Sequence, residues 1–393
     1  MTDRMKRVLW LILRLALMAA LVAYVLRQVD LYDTVQLPRT DAASPKPAPM
    51  RVLRDMPRVG VVVRDTDGQE RLIPREDFGP DKAVRVQGIL AIGRRLARDW
   101  GYAVAALVVM MLQSPVGAIR WRMLLAVQGI HITLWESIRL TYIGWFFNNW
   151  LPGATGGDIV KAYYIARETH HKPEAVTVVF LDRLIGLIAM CMLGAAAVAV
   201  SFHDPRVRVA QFFVGAFLVG VFGGALVFYS HRLRAVLRLR YIKSLMPMRG
   251  TLDRVDMALF AYRYHKGIVL LSILYSWLTQ VVSVLAIWWL ATGLGSQADW
   301  YHYFVSMPVV WIGWSLVPVP GGFGVAETLT QNLFGPTVLG VPAAEAATLA
   351  LAMILAYRLV QMVVSAPGGV LYLMRRAHVS PREMRQEMAK AEE

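Results

Sequence analysis

Apolar runs long enough to cross a lipid bilayer recur along this chain and leave few fold classes open. They occupy residues 8–27, 101–119, 175–200, 209–229, 267–291 and 344–373. About 20 apolar residues suffice for a transmembrane helix, and 56% of the 393 residues are hydrophobic. The sequence therefore predicts an all-α polytopic membrane protein with about six full transmembrane helices.

The formal net charge of +15 is large for such a chain. In a membrane protein, basic residues gather in cytoplasmic loops and near anionic lipid headgroups. A nucleic-acid partner would require a basic, aromatic-bearing soluble module, and the sequence contains no such segment. The single cysteine, Cys191, cannot form an internal disulfide, and there is no Cys/His spacing of a zinc site. We expect no metal, no cofactor and no nucleic-acid partner.

The chain divides into four parts by composition. They are an N-terminal transmembrane helix over 1–29, a small β-containing extracytoplasmic insert over 30–98, a transmembrane domain over 99–376 and a charged cytoplasmic tail over 377–393. Within the insert, two β-prone runs flank Asp-Thr-Asp-Gly, which is a strong hairpin signal. The run "VQGILAIGRRLARDW" that follows predicts a short amphipathic helix leading back to the membrane.

The distribution of basic residues predicts the topology. The arginine-rich stretch 230–254 is typical of a cytoplasmic loop. Arg120 and Arg122 mark the end of the second span, residues 123–137 are expected at the membrane interface, and residues 158–168 predict a short helix after the first break. With both termini in the cytoplasm, the orientations of the successive spans are consistent under one condition. Residues 138–168 must begin and end on the cytoplasmic side, and residues 301–335 must begin and end on the outside. Each segment is then a re-entrant hairpin, and the two hairpins enter from opposite faces. Opposed broken helices are typical of inverted-repeat transporters, so an inverted repeat is our hypothesis.

Each predicted hairpin contains a break rich in proline and glycine, "LPGATGGD" and "PVPGGFG". Irregular backbone at membrane depth is tolerated only where protein or a water-filled cavity surrounds it. We therefore expect the breaks to lie at the hairpin tips, beside a polar site. The residues assigned to the tips are Pro152, Gly153, Gly156, Gly157, Pro320, Gly321, Gly322 and Gly324.

Polar side chains near the breaks and inside the spans are candidates for binding a lipid headgroup. Charges within a membrane are costly and point to function by default, and the forked donors of arginine suit phosphate. We assign no catalytic residue. The headgroup candidates are Asn148, Asn149, Asp158, Lys161, Asp182, Arg183, Glu327 and Arg358.

Several candidates have structural alternatives. Asp158 and Glu327 each begin a helix after glycines, where acidic residues are favoured for capping alone. Asp182 and Arg183 could pair with each other, and Lys161 could extend to the interface. Asn148 and Asn149 could satisfy backbone groups freed by the break.

Asp65 and Asp67 suggest a different function. An acidic triplet in the first outside loop could hold a metal and a phosphate in a transferase that uses a lipid-linked donor. Gly68 follows and strand-like runs flank the triplet, so a turn is the favoured interpretation. The sequence around these aspartates also lacks the additional oxygen ligands that a calcium-binding loop requires.

The segments "FNNWLPGATGGDIVKAYYIAR", "LDRLIGL" and "PVPGGFGVAE" resemble the transmembrane region of lysylphosphatidylglycerol synthases, a family of flippase-like membrane proteins. The resemblance covers residues 8–28 and about 100–375. It implies movement of a polar lipid between leaflets. Two departures are a short charged tail in place of a soluble aminoacyl-transfer domain after residue 376, and the unusual length of the insert.

We therefore expect a flippase- or scramblase-like lipid translocase of the bacterial inner membrane, not an enzyme. Its substrate would be an anionic or aminoacylated phospholipid or a lipid-linked intermediate. One alternative is the transferase built on Asp65 and Asp67. A second is a non-transporting assembly protein whose insert docks an extracytoplasmic partner.

Overall fold

The structure is a computed structural model that describes most of the chain between residues 32 and 375. The described residues are 32–36, 50–56, 59–64, 68–74, 76, 84–86, 88–150, 156–169, 172–229, 262, 264–316 and 323–375. The predicted N-terminal helix, the basic loop at 230–254 and the tail from residue 376 lie outside them. So do Asp65 and Asp67, and the tip residues Pro152, Gly153, Pro320, Gly321 and Gly322.

A small antiparallel sheet precedes the helices. Its strands are β1 (Thr34–Gln36), β2 (Met50–Met56), β3 (Gly60–Arg64), β4 (Glu70–Pro74) and β5 (Val84–Val86), in the order β4-β3-β2-β1-β5. Strands β3 and β4 pair across residues 65–69, as the predicted hairpin requires, with Val61 opposite Ile73. Alternate side chains such as Val61 and Val63 are buried in a core of their own.

The rest of the described chain is mainly helical. The helices are α1 (Ile89–Arg98), α2 (Trp100–Val127), α3 (Leu134–Trp150), α4 (Gly156–Thr169), α5 (Lys172–Val200), α6 (Arg208–Tyr229), α7 (Lys266–Leu294), α8 (Trp300–Leu316), α9 (Val325–Leu333), α10 (Pro336–Leu339) and α11 (Ala343–Leu373). Helix α1 is amphipathic, with Ile92 buried and its arginines at the surface.

Within the described residues, four helical segments are long and apolar enough to cross a membrane. They are Trp100–Val127, Thr177–Val200, Lys266–Leu294 and Glu345–Leu373. These segments include four of the six predicted spans. The predicted span over 209–229 forms helix α6, which is not among the four.

The first of these helices is longer than the sequence indicated. We predicted that the span ends at Arg120 and Arg122 and that residues 123–137 lie at the interface, but α2 continues to Val127. The reason is that Arg120 forms an ion pair with Asp182 inside the protein. Its charge is neutralised there, so it does not mark the end of the apolar helix.

Helices α2 and α7 pack antiparallel along their length. Arg120 donates to the hydroxyl of Ser276, Ser283 donates to Gln113 at 3.1 Å, and Gly293 lies against Tyr102. The start of α7 therefore lies at the Val127 end of α2, and the end of α7 lies at the Trp100 end.

Helix α11 is the most enclosed of the four candidate spans, with 56% of its apolar window buried against 22% for α2. It lies antiparallel to α3, since Arg375 pairs with Glu136 at 2.8 Å and Gly368 contacts the backbone of Tyr142. A Cβ atom at Gly368 would overlap the Tyr142 carbonyl group. Small residues permit this kind of close approach in membrane bundles.

The start of α8 is held by the turn between α5 and α6. Asp204 accepts hydrogen bonds from Arg206 at 2.9 Å and from the hydroxyl of Tyr301 at 2.8 Å. Its carboxylate also lies 3.1 Å from Nε2 of the buried His302. The hydrogen bonds from Arg206 hold the pKa of Asp204 well below its usual range. The turn and α8 are therefore joined by an ionised carboxylate.

Candidate functional site

Helices α3 and α4 form an antiparallel pair around the first break. Gly157 packs against Gly144, and a Cβ atom at Gly157 would overlap the Gly144 carbonyl oxygen. The side-chain oxygen of Asn148 accepts a hydrogen bond from the Gly157 backbone N–H at 2.8 Å. This contact satisfies a donor that the helix start would leave unpaired, so the structural role predicted for Asn148 is confirmed.

Asp158, in the first turn of α4, binds two cations. Arg183 of α5 donates from Nε to Oδ2 of Asp158 at 2.8 Å, and its Nη2 lies 2.5 Å from the same oxygen. Lys161 lies one turn along α4, with Nζ 3.7 Å from Oδ1 of Asp158. The break in the chain is therefore linked to the neighbouring helix by a charged cluster.

Lys161 is directed into the protein. It is 7% exposed, and its Nζ lies 4.9 Å from the centre of the Trp121 ring, which is a favourable cation–π distance. The alternative in which this side chain extends to the membrane interface is not the arrangement found. Its charge is instead available inside the helix bundle.

A second ion pair lies beside this cluster. Asp182 binds Nη2 of Arg120 at 2.7 Å, and both side chains are largely buried. Asp182 and Arg183 are adjacent in sequence, yet each pairs with a different helix: Asp182 with α2 and Arg183 with α4. The alternative in which the two neighbours pair with each other is therefore not observed.

These charges line one cavity of about 560 Å³. It brings together five of the headgroup candidates, namely Asn148, Asp158, Lys161, Asp182 and Arg183. Its walls come from α2, α3, α4, α5 and α7, with Ser315 from α8. The cavity thus lies where the first break meets the candidate spans.

The cavity lies well inside the lengths of these helices. At a rise of about 1.5 Å per residue, Arg120 is about 10 Å from the Val127 end of α2, and Gln113 about 20 Å. Asp182 is about 15 Å from the start of α5. Polar groups at this depth are expensive in hydrocarbon, which favours a functional role for them.

One side of the cavity opens toward the outside of the helix bundle. Phe180 and Arg183 are one helical turn apart on α5, and both line the cavity. Phe180 is 47% exposed, and the Arg183 side chain is 43% exposed. An apolar ring beside a cation is a suitable lining for a lipid with an apolar chain and a charged headgroup.

The second break has a different environment. Gly324 adopts φ +85°, which favours glycine, and its backbone N–H donates to Oε2 of Glu327 at 2.7 Å. The prediction that Glu327 completes the first turn of this helix is confirmed. Oε1 of Glu327 accepts from Arg358 at 2.8 Å.

Arg358 is enclosed by aromatic rings as well as by Glu327. Its guanidinium lies 4.2 Å from the ring centre of Trp314 and 4.3 Å from that of Phe323. Arg358 and Glu327 are both buried, and neither lines the cavity at the first break. Asn149 does not line it either. The structure therefore does not gather all the headgroup candidates at one site.

The cavity also contains polar residues that the sequence analysis did not single out. They are Gln113, Arg120, Thr141, Thr279, Gln280 and Ser315. The available signal was a polar side chain within an otherwise apolar helix, which is strongest for Gln113 and Gln280. Arg120 was interpreted as a helix boundary, so its role was missed.

Among the described residues, no three His, Cys, Asp or Glu side chains group as metal ligands. Asp65 and Asp67 lie outside those residues, so the acidic loop proposed for the transferase alternative stays a prediction.

Comparison with known proteins gives a family match across the helical part of the chain. Residues 83–369 match the family described as the lysylphosphatidylglycerol synthase TM region. A UPF0104 membrane protein of Pyrococcus horikoshii is 24% identical over 302 residues, covering 71% of this chain and 88% of the relative. No solved structure matches significantly. With its apolar helices and a family match over most of its length, this chain is a membrane protein that belongs to the lysylphosphatidylglycerol synthase transmembrane-region family.

Proposed function

We propose that this protein is a flippase- or scramblase-like translocase that moves a polar phospholipid, or a lipid-linked intermediate, between leaflets. The observation that carries the proposal is the charged cavity of about 560 Å³ among apolar helices. A headgroup is too polar to enter hydrocarbon unaided. The cavity supplies cations, carboxylates and amides that replace the water around the headgroup.

The opening beside Phe180 and Arg183 supports a lipid as the substrate. A headgroup enters the cavity through this opening, while its acyl chains remain outside against the apolar faces of the helices. Arg183 contacts the phosphate because it is the cation at the opening. Asp158 orients Arg183 when no phosphate is bound.

The arrangement of the helices supports two re-entrant hairpins. Helix α3 begins beside Arg375, just beyond the end of α11, and α4 ends at Thr169, directly before α5 begins. The α3–α4 pair therefore enters and leaves at the Val127 end of α2. Asn148 and Asp158, on either side of the proline- and glycine-rich sequence that joins the two helices, line the cavity. Such a sequence is tolerated at membrane depth beside a water-filled cavity.

The α8–α9 pair has the opposite placement. Helix α8 begins shortly after α7 ends, and a short loop joins the two. The segment after α9 is bound to that loop, because the Gln297 N–H donates to the Leu339 carbonyl at 3.0 Å. Both outer ends of this pair thus lie at the Leu294 end of α7. We propose six spans with two opposed hairpins related as an inverted repeat.

We further propose a place and a mode of action for the protein. It lies in the bacterial inner membrane with both termini in the cytoplasm, and the sheet-bearing insert is extracytoplasmic. It acts as a transporter without cofactor and catalyses no covalent step. Its partner is the membrane lipid, and the insert is available for an extracytoplasmic protein.

The test is lipid movement in vesicles that contain the purified protein. Phospholipids with a fluorescent acyl chain are placed in both leaflets, and a membrane-impermeant quencher then removes the outer-leaflet signal. A translocase makes the inner-leaflet fraction accessible within the measurement, and protein-free vesicles do not. A folded preparation that moves none of an anionic, an aminoacylated and a zwitterionic lipid would refute the proposal.

A further inference from the structure

The charges that line the cavity do not cancel. Among the described lining residues there are three cations and two carboxylates: Arg120, Lys161, Arg183, Asp158 and Asp182. Residues 151–155, which connect α3 to α4, carry no charged side chain. The described residues that line the cavity thus carry a surplus of one positive charge.

The surplus lies at one end of the cavity. Arg120 and Asp182 form a close pair of their own, and Arg120 also donates to Ser276. Asp158, by contrast, is shared between Arg183 and Lys161. One carboxylate therefore faces two cations, and the more exposed of the two is Arg183, at the opening.

An excess of positive charge among apolar helices is costly unless an anion accompanies it. A phosphodiester carries one negative charge, which would make the loaded site neutral. A lysylated phosphodiester bears two ammonium groups and a net charge of +1, and it would instead raise the total charge of the site to +2.

The other polar lining groups are neutral. Gln113, Gln280, Thr141 and Thr279 contribute amide and hydroxyl groups to the cavity wall. Such groups exchange hydrogen bonds with hydroxyls and add no charge. They suit the alcohol part of a headgroup beyond its phosphate.

We infer that the cavity selects lipids whose headgroup is a hydroxylated phosphodiester with a single net negative charge, and that it discriminates against aminoacylated, net-cationic headgroups. This inference rests on the proposed translocase function and narrows its substrate class. Phosphate binds between Arg183 and Lys161, and the alcohol extends toward Gln113 and Gln280.

The experiment compares three lipids in the vesicle assay, in a phosphatidylcholine matrix. The tracers are phosphatidylglycerol, lysylphosphatidylglycerol and phosphatidylcholine, each with the same fluorescent acyl chain. For the native protein we expect phosphatidylglycerol to move about tenfold faster than either of the others, since one unit charge at close range in a partly buried site is worth at least that factor.

A charge-adding variant tests the reason for the preference. Gln113→Glu is nearly isosteric, keeps an acceptor for Ser283 and cancels the surplus charge. We expect it to reduce the preference for phosphatidylglycerol over lysylphosphatidylglycerol by about tenfold. Gln113→Met changes the polarity without changing the charge and should retain the native preference. Gln280→Glu repeats the test at a second position on the cavity wall.

The outcomes separate the inference from the function on which it rests. Equal rates for the three lipids, or faster movement of the lysyl form by the native protein, would overturn the selectivity and leave the translocase intact. A preference unchanged in both charge-adding variants would also overturn it. Movement of no lipid at all would refute the translocase function and the inference together.

Discussion

Arg183 is the side chain on which the proposed lipid contact most depends. It lies at the cavity opening and is held by Asp158. Arg183→Gln removes the charge and the forked donors, so we expect translocation to fall by at least about tenfold, the cost of one or more hydrogen bonds to a charged group. The rate in vesicles at matched protein density is the measurement.

Arg167→Gln is the matched control for this change. Arg167 is exposed, lies on the neighbouring helix α4 and does not line the cavity. Its variant should transport at the native rate. Equal rates for the native protein and Arg183→Gln would remove Arg183 from the proposed route.

Glu327 has a structural task at the second break. It pairs with the buried Arg358 and binds the Gly324 N–H. Glu327→Gln keeps an acceptor for that N–H but removes the negative charge that pairs with Arg358 at 2.8 Å, so we expect a loss of about 3–5 kcal/mol in the free energy of unfolding. Thermal unfolding in detergent should show a clearly lower midpoint.

The double variant Glu327→Gln with Arg358→Met separates the charge effect from a general loss of packing. Because it removes the buried positive charge together with the carboxylate, it should recover a substantial part of the stability. If the double variant is no more stable than Glu327→Gln alone, the loss of charge balance is not the cause.

At this scale the sequence singled out several charged residues that line one cavity in the structure, but it did not predict which residues they pair with. Asp158, Asp182 and Arg183 stood out because they are charged and lie in or beside apolar segments. Their pairing depends on how α2, α4 and α5 pack, which the local sequence does not specify. Arg120 was misinterpreted for the same reason, since a charge near the end of an apolar run looks like a boundary until its partner is known.

Among the elements, the α3–α4 pair depends on a contact that only glycine permits. Gly157→Ala would place a methyl group on the Gly144 carbonyl, so the two helices must separate. We expect a loss of about 1–3 kcal/mol in stability and a marked loss of transport, because Asp158 and Lys161 move with α4. Thermal unfolding and the vesicle rate measure the two effects.

Gly215→Ala is the corresponding change where there is space. Gly215 lies in α6, and a Cβ atom there meets nothing within 4 Å. This variant should be neutral or slightly more stable, because alanine favours helix. A Gly157→Ala protein that behaves like Gly215→Ala would contradict the close packing of the hairpin.

The elements themselves were largely predictable from apolar runs and glycine-rich breaks. Helix α4 was expected at 158–168 and occupies Gly156–Thr169, and the strands around Gly68 pair as the turn signal indicated. The short strands β1 and β5 were not anticipated. They gain stability from pairing across a long sequence separation, which no local pattern reveals.

For the whole molecule, the insert and the transmembrane domain should be separable. The family match begins at residue 83, and Gln36 pairs directly with Val84. Residues 37–83 can therefore be replaced by an Asn-Gly turn that joins β1 to β5. We expect this variant to translocate lipid at close to the native rate in vesicles.

The replacement also tests the assembly alternative. If the protein is instead a non-transporting assembly protein, the native chain should move no lipid in vesicles, and the replacement should abolish its function in cells because the partner no longer docks. Loss of lipid movement in vesicles, from a variant that is as stable as the native protein, would place the insert within the translocation machinery.

Whether headgroups pass through this cavity can be tested directly by blocking the cavity covalently. Cys191 is the chain's single cysteine and is buried, so a Cys191→Ala background allows one thiol to be placed at will. Gly186 lines the cavity, and a Cβ atom there meets nothing within 4 Å. Gly93→Cys, on the exposed face of α1, is the matched control.

Each variant is labelled with a bulky charged thiol reagent, and lipid movement is then measured in vesicles. We expect that labelling Gly186→Cys stops translocation, that labelling Gly93→Cys does not, and that reducing the label away restores the rate. Native translocation by a fully labelled Gly186→Cys protein would show that the headgroup takes another route.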